Sequence, residues 1–385
     1  MKRLRVAFLT TDKREHDRDY LNPVPAFGSA PEAVLAGFAN SPDIEVHVVS
    51  CTQQKLSAPV RLVDNIYYHS LLVPKIGWLR TFYSGCVWKA RRHLASLAPD
   101  LVHGQGTERD CALSAVLSGF PNVLTIHGNM AELARLFHAR LMSFYWLAAR
   151  LEDFALSRTA GVFCNSAYTQ ALVKPRNPKT WLVPNPLGLA FFENPRPHPT
   201  RGSIPIFLVI GVVNPRKRQQ ELLECFRKLR LDGCQFQVRW IGQCPDDPYG
   251  KKFLEALVDS SLSDWNFFVG PLDQAGLIRE MDAASALVHF PFEESFGLVA
   301  AEALARGLKV FSSEVGGLKE ICAGSTDAVL IPPEGWTSLR KAIASWIQLG
   351  CPPPQESPQI MQARYHPKVI ARRHVEIYRE VMASR

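Results

Sequence analysis

No apolar run in this 385-residue sequence is long enough to cross a bilayer. The best candidate, Ile204–Val213, has about half the needed length. There is no C-x-x-C pair, and the nine cysteines are scattered and odd in number. That pattern argues against a disulfide framework and a zinc knuckle, and for a reducing, cytoplasmic compartment. The opening stretch MKRLRVAFLTTDKRE has too short an apolar core for a secretory leader and reads as a first strand. No internal repeat is present. Acids are in the minority, 36 Asp and Glu against 44 Lys and Arg, for a net charge of +8. This balance suits phosphate-bearing ligands or an anionic membrane face. Nucleic acid has only the net charge in its favour and is not expected as a partner.

What is present is a βα rhythm. Val6–Thr10, Ile44–Ser50, Val60–Ser70, Leu101–Gly104, Val123–His127 and Gly161–Asn165 read as strands. Pro31–Ala39, Trp78–Ala95 and Ala131–Leu156 read as helices between them. The segment 184–201 holds Pro184, Pro186, Pro195, Pro197 and Pro199 with little periodicity, and reads as a hinge. The rhythm restarts with strands Ile206–Gly211, Gln237–Gly242, Phe267–Gly270, Ala286–Phe290 and Leu308–Ser312. Helices are expected at Gln219–Leu229, Ala275–Ala284, Trp336–Ile347 and Pro367–Ala383. The class is α/β, with two Rossmann-like βαβ domains.

The stretch FEESFGLVAAEALARGLKVFSSEVGG, from Phe292 to Gly317, carries the most chemistry. A buried strand leads to Glu294, a turn at Phe296-Gly297-Leu298, a helix containing Glu302, and a second strand. The helix start offers free N–H groups and the positive end of a dipole, which favours phosphate. Gly297 removes a Cβ that would keep the backbone from a ligand. Glu302 also reads as an ordinary acid of the first helical turn. Two carboxylates beside a phosphate cradle suit sugar hydroxyls on either side of a phosphate, as in a nucleotide sugar.

Glu294, Phe296, Gly297, Leu298, Glu302, Ala303, Ala305 and Gly307 match the E-x7-E signature of retaining glycosyltransferases, which this segment resembles. The resemblance is to family 4 of the GT-B type and covers nearly the whole chain. It implies two Rossmann-like domains facing across a cleft: 1–187 on the acceptor side, 188–362 for the nucleotide sugar, and 363–385 returning onto the first. It implies that Glu302 meets the ribose, that Glu294 and the backbone of Phe296, Gly297 and Leu298 hold the hexose and phosphate, and that Arg216 and Lys217 neutralise the diphosphate. It also implies retention, with no metal or other cofactor. In Gly211-Val212-Val213-Asn214-Pro215-Arg216-Lys217-Arg218 the chain departs from the family's G-R-x-x-x-x-K-G. Val212 replaces the Arg and Arg218 replaces the second Gly.

Thr125-Ile126-His127-Gly128 resembles the family's T-x-H-G and implies that His127 acts beside the transferred sugar. Gly28-Ser29 stands where relatives carry Gly-Gly, a partial match that makes Gly28 a donor-side candidate. Asp17-Arg18-Asp19 is a D-x-D triplet, but it lies in the charged run KREHDRDY with no apolar strand before it. It reads as a solvated loop, not a metal site. His103-Gly104-Gln105-Gly106 mimics half a dinucleotide fingerprint, yet Arg109 stands at the third glycine.

Residues 65–99 hold five Lys and Arg and no acid, interleaved with Trp78, Phe82, Tyr83 and Trp88. One reading is a helix with its aromatics inside. The other is a basic-aromatic face for an anionic bilayer. The function expected is hexose transfer from a nucleotide-diphosphate sugar to a glycan, lipid-linked or small-molecule acceptor. A sugar-nucleotide epimerase and a non-catalytic nucleotide-sugar-binding protein are the alternatives.

Overall fold

The computed structural model describes residues 3–194, 204–258 and 264–384. Pro195, Pro197 and Pro199 of the expected hinge lie outside the described residues. The chain divides into two compact units, 1–188 joined by 365–385, and 189–364.

The first unit contains β1 (Leu4–Leu9), α1 (Lys13–Asp17), α2 (Ser29–Phe38), β2 (Ile44–Thr52), β3 (Arg61–Val63), β4 (Ile66–Leu72), α3 (Ser84–Leu97), β5 (Leu101–Gln105), α4 (Asp110–Val116), β6 (Asn122–Ile126), α5 (Met130–Leu136), α6 (Phe144–Leu156), β7 (Val162–Cys164), α7 (Ala167–Val173) and β8 (Thr180–Leu182). Its sheet runs β3-β4-β2-β1-β5-β6-β7-β8. Every described pair is parallel except β3 with β4. The central strands are buried on both faces, as strands covered by helices on each side must be.

Three expectations need correction here. Val60–Ser70 is not one strand but a hairpin turning at Asp64-Asn65. The Asn65 amide pins the turn by donating to the carbonyls of Phe38 and Ile44. The helix expected from Trp78 starts only at Ser84, after two short 3-10 turns. Gly77 and Gly85 touch backbone to backbone there: a Cβ on Gly85 would sit 2.6 Å from Gly77 Cα. Ala131–Leu156 is two helices. The fully buried Glu152 of α6 accepts from the backbone N–H groups of Met130 and Ala131 at the start of α5. Along one straight helix those residues would be about 33 Å apart. His138 and Met142, both at positive φ, turn the chain between them.

The charged run is not simply solvated either. Asp12 caps α1 and is fully buried with Arg14, whose guanidinium meets it at 2.7 Å. The Tyr68 hydroxyl also donates to Asp12. Asp17, Arg18 and Asp19 remain exposed.

The second unit contains β9 (Ile206–Ile210), α8 (Gln219–Leu231), β10 (Gln237–Ile241), α9 (Pro248–Leu257), β11 (Asn266–Gly270), α10 (Gln274–Ala283), β12 (Ala286–His289), α11 (Leu298–Ala305), β13 (Lys309–Ser313), α12 (Leu318–Cys322), β14 (Ala328–Ile331), α13 (Trp336–Gln348) and α14 (Ser357–Tyr365). Its sheet is β11-β10-β9-β12-β13-β14, parallel throughout the described pairs. Chain order reverses between β9 and β12, so the loops leaving these adjacent strands open at a topological switch point.

The last helix, α15 (Pro367–Ala383), belongs to the first unit. It lies on α2, where Gly37 is obligatory because a Cβ would stand 2.3 Å from the Pro367 carbonyl. Ile370, Ile377, Tyr378 and Val381 join Val34, Leu35 and Phe38 in one core. Each such buried side chain contributes about 1.5–3 kcal/mol.

Candidate active site

In the second unit, two loops 77 residues apart in sequence meet because β9 and β12 are neighbours. After β9, Asn214 accepts from the Lys217 N–H and starts a 3-10 turn over Pro215–Lys217. After β12, Glu293 and Glu294 precede the turn into α11. Lys217 Nζ donates to Glu294 Oε2 at 2.5 Å, and His289 Nε2 stands 3.3 Å from the same oxygen. Arg216 Nη1 donates to both the carbonyl and a carboxylate oxygen of Glu293, each at 3.2 Å. The Phe292 N–H donates to the Arg216 carbonyl and ties the loops together.

The electrostatics follow from these contacts. Burial would raise Glu294, but Lys217, then His289 and Arg216, hold it well below the usual carboxylate range. His289 is pushed down to about 4, first by burial and then by Lys217, so it is a neutral imidazole at pH 7. Glu293 is raised by burial, with Arg216 opposing. Thus neither expected cation stands free: each already holds a carboxylate. Glu293 and His289 were missed in the sequence. Glu293 was visible only as the neighbour of Glu294, and His289 only as the end of an apolar strand.

Gly297 has φ 101° and caps α11, and a Cβ there would run into Leu318. Phe296 is buried, and its backbone packs so closely on Gly317 that a Cβ there would stand 2.6 Å from the Phe296 carbonyl oxygen. Leu298 opens the helix and Glu302 follows one turn later. Glu302 is therefore not a first-turn acid, and its carboxyl gains little from the helix terminus. It is 5% exposed, and burial pushes it up to about 8. Arg218, standing at the family's second glycine, has φ 56°, the backbone shape glycine tolerates without cost. Its guanidinium binds the Pro333 carbonyl and Glu334 and lies over Phe292 and Trp336. Those contacts offset the strain.

In the first unit, His127 follows β6 directly. Its Nε2 donates to Gln105 Oε1 at 3.1 Å. The Gln105 amide donates to His103 Nε2 at 3.0 Å, and His103 Nδ1 donates to the Tyr378 hydroxyl at 2.6 Å. This chain of bonds fixes the proton of His127 on Nε2. Burial lowers His127, against Glu108 and Asn185, so the ring is neutral at pH 7. Gly28 caps α2 in an extended conformation, and a Cβ would make only ordinary contact with Pro31. Nothing within the chain demands glycine there. The Glu32 carboxylate already accepts from the Phe27 N–H at 2.7 Å, which makes this helix start a poor phosphate cradle.

Two α/β units with largely parallel sheets, the second carrying paired acids and cations at its switch point, define an open-sheet α/β ligand-binding architecture. Residues 191–364 match the model for glycosyl transferases group 1, and residues 35–190 match that for glycosyltransferase family 4. The chain belongs to the family 4 glycosyltransferases of the GT-B fold. A D-inositol 3-phosphate glycosyltransferase of Streptosporangium roseum is 31% identical over 140 residues, 34% of this chain and 32% of that protein. The enzyme of the same name from Kribbella flavida is 36% identical over 84 residues, 22% of this chain and 20% of that protein. The matches thus span a third or less of these relatives. Among solved structures, sucrose-phosphate synthase of Thermosynechococcus elongatus aligns with TM-score 0.73 and 20% identity over 100% of both chains. The Anabaena protein HepE in complex with UDP-glucose aligns with TM-score 0.70 and 16% identity, covering 99% of this chain and 100% of that one. At such identities the likeness speaks for the fold. No helix among the described residues is long and apolar enough to cross a membrane.

Proposed function

We propose that the chain is a retaining hexosyltransferase. It moves a hexose from a nucleotide-diphosphate sugar to a hydroxyl of a glycan, lipid-linked or small-molecule acceptor. The observation that carries this reading is the cluster of Lys217, His289 and Glu294 beside the start of α11. Breaking the sugar–phosphate bond develops negative charge on the leaving diphosphate. Lys217, Arg216 and the α11 N–H groups are fixed donors for that charge. Glu294, kept ionised, accepts hydrogen bonds from hexose hydroxyls. Glu302, mostly protonated at pH 7, accepts from and donates to the ribose diol. We assign His127 a hydrogen bond to a hydroxyl of the transferred sugar. The leaving phosphate takes the acceptor proton, so no carboxylate base is required. These cations stand in the role a divalent ion fills elsewhere, and the proposal includes no metal.

The experiment is a calorimetric screen of UDP-, GDP- and ADP-sugars, followed by NMR of the anomeric configuration of the product. Binding and a retained configuration are expected. An isomerised sugar nucleotide formed without acceptor would favour the epimerase instead. Activity should survive EDTA, and loss of activity restored by Mn²⁺ would overturn the metal-free scheme.

A second reading concerns location. Trp78 and Tyr83 pack inside, but Phe82 and Trp88 are 54% and 56% exposed beside Arg80 and Arg92. Phe82 and Tyr83 both have positive φ, a strained pair that buries one ring and extrudes the other. We read this as a peripheral contact with an anionic membrane face.

A further inference from the structure

A pocket of about 440 Å³ opens in the first unit, and none of its lining residues belongs to the E-x7-E loop. Its walls are the segments that follow the carboxyl ends of four strands. Glu15, Arg18 and Tyr20 follow β1, Gln53 follows β2, Lys75 follows β4 and Arg109 follows β5. That edge is where an open parallel sheet binds ligands. The size suits a small polar molecule.

The lining is unusual in its charge. Three permanent cations, Arg18, Lys75 and Arg109, face one carboxylate, Glu15. Glu15 is itself buried and already engaged, accepting from the Gln53 N–H at 2.8 Å, and its charge raises the Tyr20 hydroxyl after burial. Among the described residues, none of the three cationic side chains makes a hydrogen bond or an ion pair. Asp110, next to Arg109 in sequence, is buried and raised by that burial, with the Arg109 charge opposing. With one carboxylate against three cations the lining keeps an excess of positive charge, which a bound anion offsets.

The pocket is also held in shape. The Asp12–Arg14 pair is buried under α1 and fixes the short helix that carries Glu15. Arg18 caps that helix at φ 57°, a left-handed conformation that costs energy for any side-chain-bearing residue. The D-x-D triplet thus supplies its central arginine to the pocket, while its two aspartates stay in solvent.

We propose that this pocket is the acceptor subsite and that its acceptor carries a phosphate group. Arg18 and Arg109 would grip the phosphate with forked N–H donors, and Lys75 would add a point charge. Glu15 and Gln53 would take hydroxyls of the same acceptor. The inference rests on the transferase reading, since it names the acceptor of that reaction. A soluble sugar phosphate and the phosphate of a lipid headgroup share this chemistry. Lys75 adjoins the exposed Ile76, so the lipid source must be tested alongside the soluble one.

The test uses the full chain and the double variant Arg18→Gln/Arg109→Gln, with its fold checked by circular dichroism. Calorimetry compares glucose 6-phosphate with glucose, and flotation compares phosphatidic acid vesicles with phosphatidylcholine vesicles. Preference for a phosphorylated probe of at least about tenfold, lost in the double variant, is expected. Preference for glucose 6-phosphate assigns a soluble acceptor, and preference confined to phosphatidic acid assigns a lipid one. Equal affinity for phosphorylated and neutral probes, or a preference that survives in the double variant, overturns the proposal. Nucleotide-sugar binding, measured in parallel, must be the same in both proteins. Its absence from the parent chain would instead sink the transferase reading.

Discussion

The strand-end loops of the two units treat positive charge in opposite ways. In the second unit each cation is matched: Arg216 with Glu293, Lys217 with Glu294. In the first, Arg18, Lys75 and Arg109 have no such partners among the described residues. A matched pair is held in one geometry before any ligand arrives, at the expense of net charge. An unmatched cluster keeps its full charge for an incoming anion but leaves its long side chains loose. The first arrangement suits a site whose geometry governs a chemical step, the second a site whose charge governs capture.

Four changes break or sharpen this contrast. Asp12→Ala should have the largest effect, because it strands the buried Arg14 guanidinium. About 3–5 kcal/mol of unfolding free energy should be lost in a urea titration. A cost below about 1 kcal/mol would show that the first unit's loop is not anchored by this pair. Lys217→Ala should lower kcat about 10²–10³-fold with circular dichroism unchanged. Rates near those of the parent would show that the matched pair is structural only.

Glu302→Gln tests burial in the second unit. A carboxyl raised from 4.5 to about 8 contributes stability that is complete below pH 4.5 and is lost as pH rises through 8. The variant should therefore melt higher than the parent at pH 8.5 and show no such advantage at pH 4. Calorimetric scans at the two values decide it, and equal melting at both would mean Glu302 is solvated. Tyr378→Phe should have the smallest effect, about 0.5–1.5 kcal/mol in stability. It removes the acceptor for His103 Nδ1, which frees the proton position on His127. The kcat–pH profile should shift while KM for the donor stays constant. An unshifted profile would detach His127 from this chain of bonds.

The alternation of strands and helices was legible because parallel strands are short apolar runs and their helices are amphipathic. The loop carrying Glu294 was legible too, since strand, glycine and helix follow one another within a dozen residues. The partners of that loop were not. Nothing local to Glu293 or His289 announces Arg216 or Lys217, which only sheet order brings near. The break between α5 and α6 was hidden because the apolar pattern runs through it. His138 and Met142 take left-handed conformations without the usual glycine signal. Arg14 was hidden by its neighbours, since a charged run gives no hint that one member is buried.

The placement of α15 bears on how the polypeptide is made. Residues 365–384 emerge from the ribosome after all of 189–364, yet they seal the hydrophobic flank of α2. Until they arrive, Val34, Leu35 and Phe38 lack their cover, and the earlier-made unit must wait, incomplete, while the later one forms. Nascent chains stalled before residue 365 should accordingly recruit chaperones through that flank.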